Sequence, residues 1–126
     1  MARILVVDDD PDITYAISLF LRKEGHEVRT AGGRAEGMKA IDTFQPDLMI
    51  LDVMMEQPDD GIAMAQELRR GGKRLPIVML TSVGKVTGMS FGRDDDLVPV
   101  DAFFEKPVAP AELLRKVSDL LQKQGV

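Results

Sequence analysis

Four carboxylates stand close together near the start of the chain, in the stretch VVDDDPD at residues 6–12. Two like charges about 4 Å apart repel by roughly 4 kcal/mol at an effective dielectric constant near 20, so such a cluster needs a solvated turn, a helix cap or a cation. Asp10 stands directly before Pro11, where it can cap a helix that has Asp12 in its first turn. Asp8 and Asp9 then remain as candidates for binding a cation.

Other polar residues stand where later apolar runs end. Asp52 follows the run Leu48–Leu51, Thr81 and Ser82 follow Ile77–Leu80, and Glu105 and Lys106 follow Ala102–Phe104. The three carboxylates of Asp8, Asp9 and Asp52 suit a hard cation such as Mg²⁺, which retains water ligands and also binds phosphate oxygens. A carboxylate can also act as a nucleophile toward phosphorus, and a cation, a hydroxyl and an ammonium group then balance the charge of the transferred group. These residue types therefore predict Mg²⁺-assisted phosphoryl transfer.

The apolar runs that carry these residues alternate with helix patterns. We expect strands at Ile4–Val7, Glu27–Ala31, Leu48–Leu51, Ile77–Leu80 and Ala102–Phe104, the second being weak and at an edge. Strand–helix alternation predicts an α/β fold with a doubly wound, five-stranded parallel sheet and helices on both faces. Ligands bind such sheets outside the carboxyl ends of the strands, so the fold would bring the polar strand ends together.

The helices follow from apolar periodicity and from stop signals. We expect one from Pro11 to a stop at Gly25, then Arg34–Phe44, Ile62–Arg70 and Ala111–Gln124. The segment 84–99 contains three glycines, each costing a helix about 1 kcal/mol relative to Ala, so a fourth helix there should be short or irregular, or replaced by a loop.

Composition excludes several classes of protein. The chain has 126 residues, a net charge of −5, no Cys and one His, so disulfides and thiolate metal sites are excluded and a zinc site is not expected. The negative charge argues against direct nucleic-acid binding. No apolar run is long enough for a membrane span and no secretory pattern opens the chain, so we expect a cytoplasmic protein without membrane contact.

Four stretches taken in order resemble one family: ILVVDDDPD, PDLMILDVMM, PIVMLTS and DAFFEKPV. They resemble the CheY-like receiver domain of two-component response regulators, over nearly the whole chain. The resemblance implies a flavodoxin-like strand order 2-1-3-4-5 and one receiver domain over residues 1–126, without an output domain in this chain. It also implies that Asp52 accepts a phosphoryl group from the phosphohistidine of a histidine kinase or phosphotransfer protein.

The same resemblance assigns roles to other residues. Asp8 and Asp9 would hold Mg²⁺ together with Asp52 and the backbone carbonyl of Met54. Thr81 would contact the phosphoryl oxygens and Lys106 would pair with the phosphate. Phe103 would be a switch aromatic that moves with Thr81. Phosphorylation would then remodel a face formed by the fourth predicted helix, the fifth strand and the last helix. The resemblance also implies that a homodimer would form through this face.

The sequence departs from the family pattern beside the phosphoacceptor. Glu56 stands where the family commonly has proline, Gly61 comes one position late, and the segment 84–99 is longer and richer in glycine than usual. These departures leave a degenerate receiver, which binds partners without phosphorylation, as an alternative function. Partner binding that is unaffected by Asp52→Asn would favour it.

An enzyme is the second alternative. A phosphohydrolase of the haloacid-dehalogenase type needs a second Asp two residues after the nucleophile, and Met54 stands there. Turnover of a phosphate ester would favour this class. The stretch AGGRAEG after the second strand lacks the G-x-G-x-x-G spacing and is interpreted as a glycine turn that opens the second helix. His26 is interpreted as a surface turn residue.

Overall fold

A five-stranded parallel sheet with helices on both faces forms the computed structural model, which describes residues 2–52, 60–72, 74–82, 100–106 and 108–123. The elements in chain order are β1 (Arg3–Val7), α1 (Pro11–Lys23), β2 (Glu27–Ala31), α2 (Arg34–Phe44), β3 (Leu48–Asp52), α3 (Asp60–Arg70), β4 (Ile77–Ser82), β5 (Ala102–Lys106) and α4 (Pro110–Lys123). The strand order is β2-β1-β3-β4-β5, which confirms the predicted topology.

Most predicted boundaries agree with the structure. β2 and α2 begin and end at the predicted residues, whereas α3 begins two residues and α4 one residue earlier than predicted. The remaining strands are longer than their apolar runs, because strand pairing includes the polar residues Arg3, Asp52, Ser82 and Lys106. The predicted fourth helix within 84–99 lies outside the described residues.

The sheet separates two apolar cores. Alternate residues of β1 face opposite sides, since Leu5 and Val7 pack under α2 and α3 while Ile4 and Val6 pack under α1 and α4. All five residues of β3 are buried, as expected for a central strand with helices on both faces. β2 lies at an edge, and only Ala31 of it is fully buried.

Helix α1 fixes the turn that leaves β1. Asp10 is its N-cap, Pro11 is its first residue and Asp12 is the acid of its first turn, as predicted. The predicted apolar stripe faces the sheet, with Ile17 and Leu21 buried. Thr14 and Ser18 are buried beside this stripe because their hydroxyl groups donate hydrogen bonds to the carbonyl oxygens of Pro11 and Thr14.

Candidate metal centre

Two neighbouring strands bring the clustered acids to one edge of the sheet. β1 and β3 are parallel, and Val7 lies opposite Leu51, so the next residue of each strand is an aspartate. Asp8 and Asp52 are buried, at 1% and 5% exposure, whereas Asp9 is exposed. One carboxylate oxygen from each of Asp8, Asp9 and Asp52 lies within 4.8 Å of the others. The predicted cluster of three carboxylates is therefore assembled by the fold.

The backbone around Asp8 orients its carboxylate. The Asp8 N–H donates to the carbonyl oxygen of Ala31 at 3.1 Å, which prolongs the contact between β1 and β2. Oδ1 of Asp8 accepts a hydrogen bond from the backbone N–H of Asp10 at 2.9 Å. Oδ1 of Asp10 in turn accepts from the Asp12 N–H, also at 2.9 Å. Asp10 and Asp12 thus belong to the helix start, while Asp8 turns toward Asp9 and Asp52.

The donor set fits a hard divalent cation. The three aspartates offer only oxygen atoms, and carboxylates so close together in a partly buried place repel one another unless positive charge is near. Within the described part of the chain, these are the acidic side chains whose oxygen atoms lie close enough together to share one ion. The exposed Asp9 gives the site an open side, which a cation that retains water ligands needs.

The other predicted site residues are located by their backbone. Asp52 lies opposite Leu80 on β4, so Thr81 comes one residue further toward the same edge. Lys106 is the last residue of β5 and lies opposite Ser82. Strand ends of β1, β3, β4 and β5 thus reach one edge of the sheet. Met54 and Glu56 lie outside the described residues, so their predicted roles stay predictions.

Phe103 lies on the edge strand β5, opposite Met79. Its side chain is half-buried and packs against the core between the sheet and helices α2 and α3. This location gives an aromatic ring at the edge of the sheet, two residues from the end of β5. Its predicted role as a switch stays a prediction.

An apolar cavity of about 170 Å³ lies between α1 and α4 on the opposite side of β4 from Phe103. Ile13, Phe20, Leu80, Val108 and Leu113 are among the residues that line it. Because these side chains carry no ligand atoms for a cation, the cavity is chemically distinct from the carboxylate cluster.

One contact in the site was not anticipated from the sequence. The capping role of Asp10 was predicted, but the hydrogen bond from its N–H to Asp8 was not. The available signal was the spacing itself, since Asp side chains commonly accept a hydrogen bond from the backbone two residues later. Asp8 with Asp10, and Asp10 with Asp12, are two successive examples.

A parallel sheet of this strand order, with acids at the carboxyl ends of β1 and β3, is the doubly wound fold of flavodoxin-like α/β domains. The model of the response regulator receiver domain matches residues 4–118. The chain belongs to this family and is a receiver domain of the two-component response regulator type.

Curated relatives are transcriptional regulators. The alkaline phosphatase synthesis transcriptional regulatory protein PhoP of Bacillus subtilis is 34% identical over 128 residues, which cover 98% of this chain and 50% of PhoP. The DNA-binding dual master transcriptional regulator RpaA of Synechocystis is 35% identical, with 98% and 50% covered. The chain thus spans about half the length of these relatives.

A solved receiver domain has the same fold along its whole length. The receiver domain of a Francisella response regulator superposes with a TM-score of 0.84 at 25% identity, and the match covers 98% of this chain and 99% of that one. Among the described residues of the present chain, no helix combines the length and apolar character that a membrane crossing requires.

Proposed function

We propose that Asp52 is the phosphoacceptor of this receiver domain and that Mg²⁺, bound beside it, assists the transfer. The observation that carries the proposal is the cluster of Asp8, Asp9 and Asp52 carboxylates, with Asp52 at the buried end of the central strand. Membership of the receiver family supports it.

The reaction is a transfer of one phosphoryl group to a carboxylate. An oxygen of Asp52 attacks phosphorus, the bond between phosphorus and the donor nitrogen of a phosphohistidine breaks, and that electron pair returns to the imidazole. The product is an acyl phosphate on Asp52. Burial of Asp52 to 5% exposure limits the directions from which a donor and, later, a hydrolytic water can approach.

The acids of the cluster also bind the cation. Asp8 and Asp9 hold the cation together with Asp52 and the backbone carbonyl that the family resemblance assigns to Met54. When bound, Mg²⁺ supplies positive charge that offsets the developing charge on the phosphoryl oxygens. Asp8, fixed by the Asp10 N–H, keeps one side of this ligand set in place.

Thr81 on β4 and Lys106 on β5 are the remaining residues of the proposed site. Thr81 contacts the phosphoryl oxygens and Lys106 pairs with their negative charge. The position of both residues at the carboxyl edge supports these roles, since Thr81 follows the partner of Asp52 and Lys106 ends β5. An ammonium group and a hydroxyl are the donors that a transferred phosphoryl group requires.

The signal passes to other proteins through a conformational change. We infer that the donor is a histidine kinase or a phosphotransfer protein and that Phe103, on the edge strand β5, responds to phosphorylation together with Thr81. Phosphorylation would shift an existing equilibrium between two arrangements of the β5 side of the domain. A net charge of −5 supports protein partners over direct contact of this domain with nucleic acid.

Intact-mass measurement after incubation with Mg²⁺ and acetyl phosphate tests the proposal. We expect one phosphoryl group per chain, no adduct when Mg²⁺ is chelated and no adduct in Asp52→Asn. Asp42→Asn, which changes an exposed aspartate on α2, is the matched control and should accept one group. If neither acetyl phosphate nor a panel of phosphorylated histidine kinases modifies the protein, the phosphoacceptor role is wrong and a phosphorylation-independent binding module takes its place.

A further inference from the structure

We propose that Asp10 is a positioning residue for the metal site, since its side chain caps α1 and thereby holds the backbone N–H that orients the Asp8 carboxylate. This inference rests on the proposed Mg²⁺ site. It assigns a role in metal binding to a residue that contributes no ligand atom to the cluster of three carboxylates.

The backbone N–H, the carbonyl oxygen and one carboxylate oxygen of Asp10 each have a partner in the turn. Its N–H donates to Oδ1 of Asp8 at 2.9 Å, and its own Oδ1 accepts from the N–H of Asp12 at 2.9 Å. Its carbonyl oxygen accepts from the N–H groups of Ile13 and Thr14, both at 3.1 Å. The two peptide units on either side of the Asp10 Cα are therefore held, and with them the direction of its N–H.

This N–H helps to orient the Asp8 carboxylate. The Asp8 backbone is fixed by its hydrogen bond to Ala31, but that bond leaves the side-chain torsions undetermined. The hydrogen bond from Asp10 fixes the position of Oδ1 and hence the plane of the carboxylate relative to Asp9 and Asp52. Partners that orient a metal ligand in this way commonly change metal affinity when they are replaced.

Asp10 differs from its neighbours in what its carboxylate does. Its side chain is exposed, its Oδ1 accepts the N–H of Asp12 at the start of α1, and it is not a member of the group of three carboxylates. The proposed role therefore depends on the side-chain oxygen as a hydrogen-bond acceptor. Direct binding of Mg²⁺, or electrostatic attraction of Mg²⁺ from a distance, would depend instead on the negative charge of the side chain.

Two substitutions separate the acceptor from the charge. Asp10→Asn removes the charge and keeps an oxygen that caps helices as well as aspartate does, while Asp10→Ala removes both. We expect Asp10→Ala to bind Mg²⁺ about tenfold more weakly than Asp10→Asn, at the lower end of the effect of replacing a partner of a metal ligand. Isothermal titration with Mg²⁺ at constant ionic strength measures the difference.

A third variant controls for weakening of the helix. Tyr15→Gly replaces an exposed residue in the middle of α1 and lowers helix stability without touching the cap. It should bind Mg²⁺ like the wild type, and thermal unfolding without Mg²⁺ should show that it and Asp10→Ala are destabilised to a similar extent.

The outcomes separate this inference from the proposed function. Equal Mg²⁺ dissociation constants for Asp10→Ala and Asp10→Asn would overturn the positioning role while the Mg²⁺ site stands. A loss of Mg²⁺ affinity in Tyr15→Gly as large as that in Asp10→Ala would have the same meaning. Absence of Mg²⁺ binding by the wild-type protein would overturn the site and the positioning role together.

Discussion

The acids at the start of the chain differ in burial and in partners, although they are adjacent in sequence. Asp8 is buried and receives a hydrogen bond from Asp10, Asp9 is exposed, and Asp10 caps α1. The chemistry of each residue follows from its place relative to the end of β1 and the start of α1. The sequence alone separated Asp10 from its two neighbours, because a residue directly before Pro11 can cap a helix.

Asp9 is the proposed Mg²⁺ ligand that can be replaced with least disturbance of the core, because its side chain is exposed. A ligand that binds only the folded state, at 100 times its dissociation constant, stabilises that state by about 2.7 kcal/mol. We expect saturating Mg²⁺ to raise the thermal unfolding temperature of the wild type by several degrees. The unfolding temperature of Asp9→Asn should hardly change when Mg²⁺ is added. Differential scanning calorimetry with and without Mg²⁺ measures both. A full Mg²⁺ response in Asp9→Asn would show that Asp9 is no ligand.

His26 lies directly after the turn that follows α1 and is partly buried, and its Nδ1 accepts a hydrogen bond from the Ala2 N–H at 3.3 Å. Burial lowers the pKa of His26 below its ordinary value of 6.5. As the pH falls below 6.5, the unfolded chain binds a proton before the folded one does, so stability is complete above pH 6.5 and decreases below it.

Replacement of His26 tests this pH dependence. Gln can still accept the Ala2 N–H but does not titrate in this range. We expect the free energy of unfolding of the wild type to decrease between about pH 7 and about pH 5.5, and that of His26→Gln to decrease less. Urea denaturation at both pH values measures the two differences. Equal decreases in the two proteins would show that other groups cause the effect.

At the scale of elements, helix α2 packs unusually close to β1 because Gly37 has no side chain. A Cβ at this position would lie 2.9 Å from Cε of Met64 and 3.2 Å from a methyl carbon of Val7. The Met64 side chain can move, whereas the Val7 methyl groups belong to the centre of the sheet. Gly37 therefore sets the distance between α2 and the strand that leads to Asp8.

A larger residue at this position should separate the two elements. We expect Gly37→Leu to lower the free energy of unfolding by about 2 kcal/mol, since overpacking of a core costs about 1–3 kcal/mol and exceeds the gain in helix propensity of about 1 kcal/mol. Lys39→Leu, at an exposed position of the same helix, should change stability little. Urea denaturation measures both, and a Gly37→Leu protein as stable as the wild type would contradict the packing argument.

Two ion pairs of the fold have different surroundings. Arg34 and Glu67 meet at 2.7 Å between α2 and α3, with side chains that are 39% and 46% exposed. Asp101 contacts Arg69 at 3.1 Å and also accepts the Ile77 N–H at 2.8 Å, while its own N–H donates to the Ile77 carbonyl. Asp101 thereby joins the end of α3 to the first residue of β4, directly before β5 begins.

These surroundings predict unequal effects of substitution. We expect Asp101→Ala to lower the free energy of unfolding by about 1–2 kcal/mol, because the Ile77 N–H loses its acceptor. Glu67→Ala should change it by less than about 1 kcal/mol, as is usual for an exposed pair. Thermal unfolding of the two variants compares them directly. A larger loss in Glu67→Ala would reverse the interpretation.

The elements show what the sequence could and could not predict. The bounds of α2 follow from local signals, since Gly33 precedes its first residue and Pro46 stands two residues after its last. The extension of β3 to Asp52 and of β4 to Ser82 depends on pairing with neighbouring strands, which apolar runs do not reveal. The contacts of Asp101 join distant parts of the chain and have no local sequence signal.

At the scale of the molecule, the edge of the sheet at the amino ends of the strands differs in its residues from the edge at their carboxyl ends. The amino ends of the strands carry polar contacts that hold the fold, such as the Arg3 N–H to Oδ2 of Asp47 at 2.9 Å and the contacts of Asp101 with Ile77. The carboxyl ends carry the acids of the candidate site. The strand order predicted this separation of the site, because parallel strands present all their carboxyl ends at one edge.

The central claim concerns which carboxylate receives the phosphoryl group, and reductive trapping identifies it. Borohydride reduces an acyl phosphate to an alcohol, so the modified residue becomes homoserine and is found by peptide mass spectrometry. After treatment with Mg²⁺ and acetyl phosphate, the account predicts homoserine at position 52 and unmodified aspartate at positions 8 and 9. Homoserine at position 8 or 9, with Asp52 unmodified, would contradict the assignment of Asp52 as the phosphoacceptor.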